Sequence, residues 1–348
     1  MSEMGKYIYG FINSDKELFF PSCKVIASID VYTVPYQDIS AVVSAAEIVD
    51  YNHLPKDNVA RYLISHQMVI EKVMEDFTII PMRLGTYAVD GNEVRHILLK
   101  GYKVIKGIFE KTNGMVEVDV VVTWGNLEEV IKGVSEEGEI KEFKQSLLDK
   151  KEGVTINDQM RIGSLIKNYL DKRREQYANM IETSLTQMSH NHRIHGLMDD
   201  RMVFNTAFLI DNSMLKDFEK RVEKLNSEFT EKLKFKCIGP LPPYSFNTLE
   251  TKKIRSVDIA SAREKLKLSD IATREEIKKA YKQQALLYHP DKNSGGSDTH
   301  EQFDQITKAY KMLLEYCDGE ACSFKEGDPA GDVIIVVRPF DRLRAHYM

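Results

Sequence analysis

The tightest constraint in this sequence lies at residues 289–298, where His289-Pro290-Asp291 opens a polar, glycine-containing run, KNSGGSD. Proline lacks an N–H and fixes φ, so no helix continues through this point. Both flanks nevertheless carry helical period. Before it, EEIKKAYKQQALLY places Ile277, Tyr281 and either Leu286 or Tyr288 on one side, with Lys278, Lys279 and Lys282 on the other. Thr273 stands as the N-cap, with Glu275 and Glu276 in the first turn where the macrodipole favours acids. After it, EQFDQITKAYKMLLE repeats Phe303, Ile306, Ala309, Tyr310 and Leu313 at one face. A shorter helix over 258–267 precedes these two helices, so residues 257–318 read as an all-α module with the His-Pro-Asp turn between its last two helices.

The succession E-I-K-K-A-Y-K, then Y-H-P-D-K-N, then F-x-x-I-x-x-A-Y-x-x-L resembles the J domain of DnaJ-type co-chaperones over about 60 residues. The resemblance implies an antiparallel helical hairpin that docks on a DnaK-type ATPase chaperone and stimulates its ATP hydrolysis. It places the partner contact at His289, Pro290 and Asp291 together with Lys278, Lys279 and Lys282. The physics suits that role. Three lysines on one face steer the module toward an acidic partner, Pro290 stiffens the turn, and Asp291 is placed to accept a charge-assisted hydrogen bond from an arginine. Two positions depart from the family pattern: Gln284 replaces a core leucine, and Leu287 replaces the basic residue that precedes the tyrosine.

Composition sets the rest of the frame. The chain has 348 residues, enough for two or three domains. With 48 Lys+Arg against 53 Asp+Glu the net charge is −5, which gives no global drive toward nucleic acid or an anionic membrane. No apolar run approaches the roughly 18 residues of a membrane span, and no secretory signal is visible, so a cytoplasmic protein is expected. Cys23, Cys237, Cys317 and Cys322 are scattered in a pattern read as reduced, with no disulfide framework.

Residues 1–246 mix strands and helices in an α+β pattern. Strands are expected at 6–12, 25–34, 41–47, 78–89 and 115–124, and helices from Val59 to Phe77 (Asn58 as cap) and over 92–111. This gives a first domain over 1–125. A charged, glycine-containing excursion at 136–153 leads to a helix from about Asn157 to Met188, near 45 Å long at 1.5 Å per residue. A strand at 202–210, a helix capped by Ser213 and a strand at 234–239 complete a second domain over 126–246. Residues 247–256 read as a linker. In the tail, 319–348, the apolar run at 331–340 fits two roles: a strand added to a sheet of the larger part, or a strand offered to a partner.

Three segments of this larger part carry a second resemblance. They are Y-I-Y-G-F-I near the start, His66 followed by P-M-R-L-G-T (Pro81 to Thr86), and G-P-L-P-P-Y-S-F at 239–246. Together they are similar to the gas vesicle protein family GvpL/GvpF. Leu84 stands for the family's phenylalanine and Leu241 for its tryptophan, both apolar exchanges. The resemblance implies two α+β domains, the first ferredoxin-like, with a long helical element. It further implies an accessory role in building gas vesicles by binding the hydrophobic shell protein GvpA and other vesicle proteins.

Other candidate sites are weak. His190, His192 and His195 do not share one helical face, so a metal centre is not expected from them, and Cys317 with Cys322 lacks further ligands. No nucleotide-binding or hydrolase motif occurs. His66 and Arg83 read as a satisfied histidine on an apolar helix and an arginine stem over a sheet. The expectation is therefore a non-enzymatic adaptor without cofactor. It would hold vesicle subunits in its α+β part and bring a DnaK-type chaperone to them. The rivals are a minor structural vesicle protein whose J module is uncoupled, a general J-domain co-chaperone, and a small-molecule-binding or enzymatic ferredoxin-like protein.

Overall fold

The computed structural model describes residues 4–21, 30–150, 153–230, 232–288, 297–317, 321–324 and 333–339. The first sheet is antiparallel. Its strands are β1 (Met4–Ile12), β2 (Phe19–Phe20), β3 (Val31–Tyr36), β4 (Ile39–Glu47) and β5 (Ile79–Pro81) in the order β2-β3-β4-β1-β5, with β6 (Tyr87–Ala88) also on β1. Residues 25–29 of the expected second strand lie outside the described residues. Helices α1 (Lys56–Met74) and α2 (Gly91–Thr112) cover opposite faces. The alternation of β4 shows this: Ala41 and Val43 pack with Val94, Ile97 and Leu98 of α2, while Val42 packs with Val69, Ile70 and Val73 of α1. β1 is therefore buried on both sides. Gly10 lets it lie close against β5, since a Cβ there would stand 2.6 Å from the Ile80 carbonyl.

Asp90 caps α2 by accepting from the N–H groups of Asn92 and Glu93. Helix α1 begins earlier than its apolar spacing predicts, after Pro55 rather than Asn58. Proline at a helix entry gives up no hydrogen bond, because the first N–H groups lack partners anyway. Only the C-terminal half of α1 is seated. Tyr62, Leu63, Ile64 and Met68 remain exposed although all are apolar or aromatic.

The second sheet has the order β10-β7-β9-β8, all antiparallel. Its members are β7 (Met115–Trp124), β8 (Asn191–Ile194), β9 (Met202–Asp211) and β10 (Leu233–Leu241). The sequence reading counted 115–124 with the first domain. The strand instead pairs with β9 and β10, so the sheets part near Gly114, and alternation alone does not name a strand's partner. Helix α3 (Leu127–Ser135) follows β7, and α4 (Gly138–Leu148) occupies the segment read as an excursion. Both pack against α5 (Ile156–Thr186), whose C-terminal end alone is buried on the sheet through Ile181 and Leu185. The outer end of this 31-residue helix is thus paired with two short helices. Helix α6 (Leu215–Glu228) adds Phe218, Val222 and Leu225 to the same core, and Asp211 rather than Ser213 caps its leading turn.

A single turn, α7 (Tyr244–Asn247), closes the α+β part. The stretch read as a linker then forms β11 (Leu249–Arg255), which pairs residue for residue with the tail strand β14 (Val333–Pro339). Of the two roles open for the tail, it adds to a strand of its own chain. The pair is joined to the first sheet: β14 packs on α2, the Leu249 carbonyl accepts the Arg83 N–H, and the Leu249 side chain is fully buried with the α2 core. Between these strands lie α8 (Ser256–Lys265), β12 (Ile271–Thr273), α9 (Arg274–Leu287), α10 (Ser297–Tyr316) and β13 (Ala321–Ser323). The helices share a core of Ile259, Ala262, Leu266, Ile277, Ile306, Ala309 and Leu313, with Tyr281 stacked on Tyr310 at 4.1 Å. A short β12–β13 ribbon brings Cys322 back over the end of α10. There it is joined to Cys317 in a disulfide, contrary to the reduced pattern read from the scattered cysteines.

Candidate functional site

In the helical module, α9 starts on a capping box: Thr273 accepts from the Glu276 N–H and the Glu276 carboxylate accepts from the Thr273 N–H. This fixes the rotation of the helix. Ile277 and Gln284 turn inward, and Lys278, Lys279 and Lys282 lie exposed together on the outer side. Lys278 pairs with Glu275 at 2.8 Å, which holds that carboxyl below its usual range and partly neutralises the basic face. Tyr288 rather than Leu286 packs toward the core, and Leu286 and Leu287 are each 58% exposed. Gln284 is 8% exposed, so the position where the J pattern has leucine is interior here too. His289, Pro290 and Asp291 lie outside the described residues, between the end of α9 and the start of α10.

The motif residues of the first sheet converge on one network. The Met82 carbonyl can only accept, so His66 Nε2 carries the proton and donates to it at 3.0 Å. Nδ1 is then left to accept the Tyr7 hydroxyl at 2.8 Å, and the Tyr7 oxygen in turn accepts the Gly85 N–H at 3.3 Å. This chain ties α1, β1 and the Pro81–Thr86 turn together. Burial depresses the His66 pKa to about 4 and raises that of Tyr7, so both stay neutral. Gly85 sits at φ +84° with the Tyr51 ring against it, and a Cβ there would stand 2.8 Å from that ring. The satisfied-histidine reading of His66 holds. The Arg83 guanidinium ion-pairs with Glu250 of β11 at 3.0 Å.

Beside this network opens a cavity of about 200 Å³, lined by Tyr7, Tyr9, Tyr51, Tyr62 and Tyr87 with Glu47 at its edge. The sequence motif brings in Tyr7 and Tyr9 but does not gather Tyr51, Tyr62 and Tyr87 with them. They come from three separate segments with no shared spacing, and tyrosine density was the one available signal.

In the closing motif, Ser245 donates from both its N–H and its hydroxyl to the buried Glu117 carboxyl, and His195 Nε2 lies 3.2 Å from the Ser245 oxygen. His192 instead meets Glu182 at 3.0 Å, so the three histidines of 190–195 do not converge. Among the described residues no group of three potential metal ligands is assembled. No described helix is long and apolar enough to cross a membrane.

A family profile described as gas vesicle synthesis protein GvpL/GvpF matches residues 5–248, and a DnaJ domain profile matches residues 264–316. Gas vesicle protein F of Microcystis aeruginosa is 27% identical over 192 residues, which is 54% of this chain and 78% of that protein. The protein of the same name from Haloferax mediterranei is 23% identical over 244 residues, 69% of this chain and 92% of that one. Chaperone protein DnaJ of Ehrlichia ruminantium is 52% identical over 50 residues, 14% of this chain and 13% of its own length. The crystal structure of the gas vesicle protein GvpF from Anabaena sp. PCC7120 superposes with a TM-score of 0.60 at 24% identity. It covers 71% of this chain and 99% of that chain, which shows the shared fold.

Proposed function

Since the chain belongs to the GvpL/GvpF family of gas vesicle synthesis proteins and carries a DnaJ domain behind that part, we propose that it is a non-enzymatic assembly factor coupling a vesicle subunit to a chaperone. The α+β part holds a hydrophobic shell subunit of the GvpA kind, and the J module brings a DnaK-type ATPase to it in the cytoplasm. One observation carries this reading: the J helices are built onto the vesicle-family part through β11 and β14, so a client on one and an ATPase on the other are held together. The exposed apolar residues of α1, Tyr62, Leu63, Ile64 and Met68, supply a surface suited to an apolar client.

The exposed Leu287, standing where the J pattern has a basic residue, favours a second reading in which the module has lost its coupling. The test is the ATPase rate of the DnaK-type chaperone from the same cell, measured with the full chain and with a His289→Gln variant. Coupling predicts stimulation by the first and its loss in the second. Equal rates leave the protein as a vesicle component without chaperone function. Co-purification of the shell protein with the full chain tests the client half separately.

A further inference from the structure

The tyrosine-lined cavity beside His66 has the chemistry of a cation site. Its rings form a box corner: Tyr7 meets Tyr87 at 86° with centroids 5.0 Å apart, and Tyr51 meets Tyr62 at 83° and 5.3 Å. Tyr51 and Tyr87 are within 25° of parallel at 6.5 Å. The hydroxyls of Tyr7, Tyr9, Tyr51 and Tyr87 are already engaged inside the protein. Tyr51 bonds Tyr87 at 3.1 Å, Tyr9 bonds Ser44 at 3.0 Å, and Tyr7 is held by His66 and Gly85. What the walls offer a guest is therefore aromatic surface, whose quadrupole is negative at the face, more than hydrogen-bond donors.

The charge balance points the same way. Glu47 is the carboxylate among the lining residues, it is exposed at the mouth, and it makes no ion pair among the described residues. Among the described residues the lining holds no lysine or arginine, and the buried His66 stays neutral. Among the described residues, no lysine or arginine of the chain sits over the rings of Tyr7, Tyr51, Tyr62 or Tyr87. An anion would meet π faces and a carboxylate. A neutral guest would leave the carboxylate unused.

We propose that this cavity binds an organic cation, an alkylammonium or guanidinium group, between the tyrosine faces with Glu47 as its counter-charge. The group is either that of a free small molecule or the end of a lysine or arginine side chain presented by a partner. The proposal is independent of the chaperone reading, since it uses none of residues 257–318.

The test is ligand-observed NMR titration of the full chain with tetramethylammonium and with tert-butanol, a neutral molecule of similar shape. Saturable binding of the cation and not of the alcohol is expected. Tyr51→Leu, which keeps bulk but removes the π face, should weaken it about threefold to thirtyfold. Tyr51→Phe should retain binding, and Glu47→Gln, at an exposed position, should weaken it without disturbing the fold. A second titration compares acetyl-lysine amide, acetylated at its α-amine, with a lysine-containing peptide. Tighter binding of the peptide assigns a partner's side chain, and equal binding assigns a free cation. Absence of saturable tetramethylammonium binding, equal binding of tert-butanol, or indifference to both Tyr51→Leu and Glu47→Gln overturns the proposal.

Discussion

Glu117 and Ser245, 128 positions apart, meet in a buried two-point contact, with the Ser245 N–H and hydroxyl each 2.7 Å from a different carboxyl oxygen. The contact fastens the proline-rich closing motif to the face of the second sheet opposite α5 and α6. Removing the acceptor strands a buried N–H, whereas removing the hydroxyl leaves the backbone bond intact. Glu117→Ala should therefore lower stability by about 3 kcal/mol and Ser245→Ala by about 1 kcal/mol. Urea unfolding followed by Trp124 fluorescence reads this sheet directly, because the chain has one tryptophan and it lies in β7. Equal effects of the two variants would remove the stranded-donor account.

His66 predicts a pH dependence of definite sign. Its pKa falls from 6.5 to about 4 on folding because burial disfavours the imidazolium. Between these values the unfolded chain takes up a proton that the folded chain refuses. The contribution is full above about pH 6.5 and is lost as pH falls toward 4, amounting to about 3 kcal/mol. Thermal melts across this range should show His66→Gln less stable at pH 7 but with a shallower decline on acidification. Parallel pH profiles for the two proteins would contradict the buried neutral imidazole.

Gln284 places an amide among the apolar side chains of the J module at 8% exposure. Burying an amide costs more than burying a leucine of similar length, even when it finds a partner. Gln284→Leu is expected to stabilise the module by about 1 kcal/mol, visible as slower hydrogen exchange along α9 and α10. Faster exchange would mean that the amide holds a bond the core depends on.

The basic face of α9 makes a kinetic prediction. Lys278, Lys279 and Lys282 are exposed together, so their effect on a partner is chiefly steering, which salt screens. Replacing all three with alanine should slow association with the DnaK-type chaperone about tenfold at low salt and leave a nearly salt-independent rate. An unchanged salt dependence would place the contact elsewhere on the module.

Much of this architecture was legible where a segment's own pattern decides its state. The alternation of Val116, Val118, Val120 and Val122 marked a strand, and the period of Ile306, Ala309 and Leu313 marked a helix, because one face of each meets a core. The capping of α9 by Thr273 was readable for the same local reason. What escaped depends on partners. LETKKIR is too polar to announce a strand and becomes one because an apolar strand some eighty residues later lies beside it. The cavity escaped because Tyr51, Tyr62 and Tyr87 are gathered by folding from a 3-10 turn, a helix and a two-residue strand. The motif residues Tyr7, His66 and Gly85 were visible, but the hydrogen-bond chain that joins them was not.

The pairing of β11 with β14 has a mechanical meaning. A module strung on one flexible segment swivels and samples a cloud of positions. Here the chain enters and leaves the J helices through adjacent strands of one ribbon, and that ribbon rests on α2 with Lys253 reaching Glu93. Two attachments side by side remove the swivel that one would leave. The arrangement is a bracket rather than a leash: whatever docks on α9 arrives from a set bearing, and its distance from α1 is written into the fold instead of averaged over a tether.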